Sequence, residues 1–89
     1  MSTNEIYVTL QSLLEFLYEN REIEFSDRCN SYFAEPIAVG ENEYQYRIWD
    51  TKKNMCIFQG NPDALISFTF TNGYTIKKNF DAFVFSYIL

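Results

Sequence analysis

Residues 43–59 read EYQYRIWDTKKNMCIFQ, and this stretch decides the fold. Tyr44, Tyr46 and Ile48 alternate with Gln45, Arg47 and Trp49, the period of two that a β-strand imposes on its two faces. The alternation predicts a strand from Glu43 to Asp50. Thr51-Lys52-Lys53-Asn54 has the composition of a four-residue hairpin loop, and Met55 to Gln59 supplies the returning strand.

Working outward toward the N-terminus, Glu22-Ile23-Glu24-Phe25-Ser26 alternates in the same way and predicts a short strand. Residues 27–35 mix polar and aromatic side chains and read as an irregular loop, followed by a brief edge strand from Pro36 to Val39 that Gly40 ends. Before them the period changes. Ile6, Leu10, Leu13, Leu14 and Leu17 recur at helical spacing, with Ser2 and Glu5 in the Ser-x-x-Glu arrangement of a capping box. An amphipathic helix over 3–20 is expected.

Toward the C-terminus, Gly60-Asn61-Pro62-Asp63 is a turn signal. A β-branched and aromatic run then predicts a strand over 64–71, with Ile66, Phe68 and Phe70 on one face. Asn72-Gly73 predicts a tight hairpin turn, returning over 74–78. Residues 81–89 alternate two apolar sets, which predicts a strand buried on both faces or, as the alternative, a helix; the aromatic and β-branched content favours the strand. The expected architecture is α+β: an N-terminal amphipathic helix packed on an antiparallel sheet of four to six strands, free to curl, with an OB-like barrel as the alternative. The 89 residues make one domain, 1–89.

Composition narrows the function. Histidine is absent, which removes the commonest general base and metal ligand. The three glycines form no phosphate-binding loop, and two cysteines, Cys29 and Cys56, are too few for a zinc site and too far apart in sequence for a CxxC pair. No catalytic residues, metal or cofactor are expected, and the chain reads as a non-enzyme. The start carries no basic, apolar leader and no stretch approaches a membrane span, so a cytoplasmic home with reduced thiols is the expectation.

Charge is unevenly placed. The net charge is −5, with twelve acids against seven basic residues. Residues 1–50 hold ten of the acids and three arginines; residues 51–89 hold two acids and four lysines. Lys52-Lys53 and Lys77-Lys78 read as solvated turn residues. On the predicted helix, Glu15, Glu19 and Glu22 fall on one stripe opposite the leucines. Glu15 and Glu19 repel at i,i+4 spacing with no nearby lysine. Such acids keep an acidic protein soluble, and they also suit a docking surface for a basic partner. Glu15, Glu19, Glu22, Glu24 and Asp27 are the candidate acidic contacts. Arg47 and Trp49 share one strand face and join them as interface anchors.

In size, acidity and poverty of motifs, the profile resembles the small acidic inhibitors encoded by phages and mobile elements, such as anti-CRISPR proteins, some of which imitate DNA. The resemblance is one of profile, without aligned residues. It implies an inhibitor that occupies the basic groove of a nucleic-acid-binding protein or complex, without binding nucleic acid or membrane itself. The alternative expectation is an assembly module that self-associates, as a homodimer, through an aromatic sheet face or edge.

Overall fold

The hairpin forms where the alternation places it. In the computed structural model, which describes residues 6–89, β3 (Glu43–Asp50) and β4 (Met55–Gly60) pair antiparallel. The connecting loop is closed at both ends. Asp50 Oδ1 accepts from the backbone N–H groups of Lys52 and Lys53, each at 3.1 Å, and Asn54 takes a positive φ of 54°.

The sheet grows from this hairpin. β2 (Ser31–Gly40) lies beside β3, then β1 (Ile23–Ser26), then β5 (Val84–Ile88), giving the order β4-β3-β2-β1-β5 with every neighbouring pair antiparallel. It is an open five-stranded sheet, not a barrel.

β2 replaces most of the loop expected over 27–35. Its alternation, Tyr32 and Ala34 inward against Phe33 and Glu35, is broken at Pro36, which suggests an interruption to a reader of the sequence. Pro36 falls just past Ala34, the last residue that β1 pairs, so β2 has a free side there. A proline is tolerated on such an edge.

The helix is shorter than its leucine spacing implies. α1 runs Leu10–Tyr18. Thr9 caps it: its Oγ1 accepts from Ser12 N–H at 3.0 Å, and Ser12 Oγ accepts from Thr9 N–H at 2.9 Å. The expected box at Ser2 and Glu5 lies outside the described residues. Ile6 is not helical; its N–H donates to Phe85 O at 2.7 Å, along the outer edge of β5. At the other end Asn20 adopts φ 61°, the left-handed residue that commonly follows a helix.

Residues 64–71 are not a strand. Asn61 Oδ1 accepts from Ala64 N–H at 2.8 Å, and Pro62 opens a helix, α2 (Pro62–Ser67). Asn-Pro-Asp therefore acts as a helix start, with a capping side chain, a proline in the first turn and an acid beside it. Residues 74–78 also form no strand. Gly73, at φ 86°, closes a turn in which Gly73 N–H donates to Phe70 O and Phe70 N–H to Tyr74 O, both at 2.8 Å.

The last strand is an edge, not doubly buried. Glu24 pairs with Tyr87 and Phe25 with Phe85, so Ser86 is an extra residue. This bulge turns Phe85 and Ile88 to the same face, while Tyr87 and Val84 stay exposed.

Both helices pack on one face of the sheet. Leu13 and Leu17 of α1 and Leu65 and Ile66 of α2 meet Ile23, Ala34, Tyr46 and Ile48 of the strands. Phe25 centres an aromatic cluster, with the rings of Tyr32, Phe85, Phe83 and Phe70 between 5.3 and 6.1 Å away. Two phenols add ties, Tyr46 from the sheet to the segment after α1 and Tyr18 from α1 to α2. Tyr46 donates to Arg21 O at 2.7 Å, and Tyr18 donates to Asp63 Oδ2 at 2.6 Å, a bond that raises the Tyr18 phenol above its usual range. Among the described residues no helix is long and apolar enough to cross a membrane.

Candidate functional site

With both helices on one face, no described element covers the other face of the sheet. Alternation decides what it shows. Where Ile23, Phe25, Ala34 and Ile48 point to the core, Glu24, Phe33, Glu35, Arg47 and Trp49 point away, and none of these five is buried. The register aligns them across the strands. Tyr87, Glu24, Phe33 and Trp49 form one row over β5, β1, β2 and β3; Glu35, Arg47 and Gln59 form the next over β2, β3 and β4. Cross-strand neighbours at such spacing interact directly, and diagonal ones are within reach of long side chains.

One diagonal contact organises the face. Trp49 Nε1–H donates to Glu35 Oε2 at 2.5 Å. That bond anchors the indole edge and holds the carboxylate beside it. Arg47, opposite Glu35 in register, turns the other way: its Nε donates to Gln59 Oε1 at 3.3 Å, and Gln59 Nε2 donates to Gln45 Oε1 at 3.2 Å. The one ion pair among the described residues is Arg21 with Glu19, at 2.7 Å on the other side of the molecule. Among the described residues, neither Glu24 nor Glu35 forms an ion pair. They border a depression of about 660 Å³, walled by Phe33 and Trp49 and rimmed by Ser31, Thr51 and Asn54.

The structure divides the residues singled out from the sequence. Glu24, Arg47 and Trp49 come together on this face. Glu15 and Glu19 are exposed on α1, which lies against the opposite face. Glu22 falls beyond the helix, half-buried ahead of β1, so the expected three-glutamate stripe is reduced to two. Glu19 is not uncompensated either: Arg21 pairs with it and sits over the Phe16 ring at 5.3 Å.

Asp27 is only 9% exposed and works inside the turn between β1 and β2. Its Oδ1 accepts from the N–H groups of Cys29 and Asn30 at 2.8 and 2.7 Å. Its Oδ2 accepts from Asn72 Nδ2 at 3.0 Å and Tyr32 O–H at 3.3 Å. Phe33 and Glu35 also belong to the face, within the part of β2 for which the sequence predicts a loop. The signal was the alternation of Ser31, Phe33 and Glu35 against Tyr32 and Ala34.

Chemically, the face suits recognition. Aromatic rings beside unpaired carboxylates attract cations and repel phosphates. Of the hydroxyls lining the depression, only that of Tyr32 hydrogen-bonds to a carboxylate, Asp27, within the turn between β1 and β2, and no group of three metal-ligating side chains occurs among the described residues. Comparison with known proteins finds no matching family model, no similar curated protein and no similar solved structure.

Proposed function

We propose that this chain is a small non-enzymatic binding protein that docks on a basic protein surface through the uncovered face of its sheet. The partner is a nucleic-acid-binding protein or complex, and docking keeps nucleic acid off its groove, in the manner of the anti-CRISPR-like inhibitors that imitate DNA. The observation that carries this reading is the grouping of Glu24 and Glu35, neither of them in an ion pair among the described residues, with the rings of Phe33 and Trp49 on one face of the sheet. Aromatic anchors give such an interface its affinity; charge complementarity gives it rate and selectivity. A cytoplasmic setting suits the two exposed, unpaired thiols of Cys29 and Cys56. The experiment is affinity capture from a host lysate at low and high salt. The expected result is a basic nucleic-acid-binding protein retained at low salt, released at high salt, and unable to hold nucleic acid while this chain is bound. Retention of only neutral or acidic proteins contradicts the reading.

One observation favours self-association as a second reading. Among the described residues, the outer edge of β4, Met55 to Gly60, has no strand beside it, and it holds no charge or proline, whereas Ile6 covers part of the β5 edge. Unguarded edges are templates for pairing. A monomer by light scattering at up to about 1 mM, where even a weak dimer would form, removes this reading.

A further inference from the structure

We infer that the depression between Phe33, Trp49, Glu24 and Glu35 is a cradle for a guanidinium group, filled by one arginine side chain of the partner. This inference rests on the docking reading and names the anchor that docking would use.

The cradle has walls and acceptors already in place. Trp49 lines the depression and is held there by its bond to Glu35 Oε2, so little ordering is lost when a ligand meets it. Phe33 lies directly opposite Trp49 in register, and Glu24 lies directly opposite Phe33. Glu35 Oε1 and both carboxylate oxygens of Glu24 accept no hydrogen bond from any described residue. The internal cation that could have filled this role, Arg47, is turned to Gln59. A depression of about 660 Å³ admits a guanidinium with its stem and leaves room for water at the Ser31 and Thr51 rim.

The geometry selects the ligand. A guanidinium is planar, stacks on aromatic rings and offers several N–H donors to carboxylates at once. An ammonium lacks the plane and is more strongly hydrated, so it gains less between two rings. A nucleobase could stack on the same row, but its phosphates would meet Glu24 and Glu35, and stacking platforms for nucleic acid are bordered by basic residues instead.

The chain has one tryptophan, so its indole N–H is a single resonance in a ¹H–¹⁵N spectrum. Titration with methylguanidinium is expected to shift that resonance saturably in the millimolar range, together with the backbone amides of Glu24, Phe33 and Glu35. Methylammonium should bind several-fold more weakly, and methylurea, neutral and planar, not at all. Glu35→Gln keeps an oxygen for the indole N–H and removes the charge; it should weaken methylguanidinium binding about tenfold. No saturable shift, an equal response to methylammonium, or an unchanged affinity in Glu35→Gln would overturn the cradle. If methylguanidinium fails while Glu24→Lys with Glu35→Lys still abolishes capture of the partner, the cradle falls and the docking reading stands. If methylguanidinium binds as expected but those reversals leave capture intact, the docking reading falls.

Discussion

Replacing Asp27 with alanine should damage the fold, not an exposed docking surface. The side chain is 9% exposed and accepts four hydrogen bonds, from the N–H groups of Cys29 and Asn30, from Tyr32 O–H and from Asn72 Nδ2. A hydrogen bond to a charged group contributes about 1.5–3 kcal/mol net, but these four do not add. Cys29 is exposed, so the turn amides recover water when the acceptor is removed, and the Asn72 amide, also exposed, does the same. Tyr32 is 3% exposed and cannot, so its hydroxyl is left without a partner beside the aromatic cluster. The surviving loss is about 2–4 kcal/mol.

Asp27→Asn keeps an oxygen for the two turn amides and sets an NH₂ against two donors. The Tyr32 hydroxyl can rotate to accept from it, whereas Asn72 is held by Tyr74 N–H on its Oδ1 and loses its partner to solvent, which leaves a cost of about 1–2 kcal/mol. Urea unfolding followed by circular dichroism measures both. With a slope near 1 kcal/mol/M, the alanine variant should lose about 2–4 M from its midpoint, or fail to fold, and the asparagine variant about 1–2 M. An alanine variant within about 0.5 kcal/mol of wild type would refute the reasoning and return Asp27 to the surface acids.

Two further outcomes follow from the core. Leu17 is 1% exposed and joins α1 to the sheet, so Leu17→Ala should cost about 2–5 kcal/mol in the same urea assay. Burial, with the Asp27 carboxylate beside it, pushes the Tyr32 phenol up from 10.0 to about 12. A raised phenol favours the folded state fully below the unfolded value, and that contribution is lost as pH rises from 10 toward 12. Comparing wild type with Tyr32→Phe should show a smaller drop in midpoint for the phenylalanine variant between about pH 8 and about pH 11.

Legibility followed the strength of local periodicity. Glu43 to Asp50 alternates over a full strand and is bounded by a clear loop, so β3, β4 and the outward placement of Arg47 and Trp49 were readable from the sequence. Glu24 was readable for the same reason in β1. β2 was not, because Pro36 breaks its pattern at a point where only the finished sheet shows a free side; Phe33 and Glu35 went with it. α2 spans six residues, fewer than two turns, which is too short for a period to declare itself. Its Asn-Pro-Asp start uses the same residue types as a turn. The helical spacing of Ile6 with the leucines was coincidental, since its backbone pairs with Phe85 instead. The bulge at Ser86 shifts the pleat within β5, which strict alternation cannot anticipate.

The central claim is that binding belongs to the uncovered sheet face and not to the acidic side of α1. The direct measurement is the affinity of the captured partner for two folded double variants, Glu24→Lys with Glu35→Lys, and Glu15→Lys with Glu19→Lys, at one salt concentration. Each pair reverses the same number of charges, so bulk electrostatics affects both alike. The account predicts a loss of at least about a hundredfold for the sheet-face pair, since close interfacial charge pairs couple by about 1.5–7 kcal/mol, and a change of no more than about threefold for the helix pair. Equal losses, or a larger loss for Glu15 and Glu19, would contradict it.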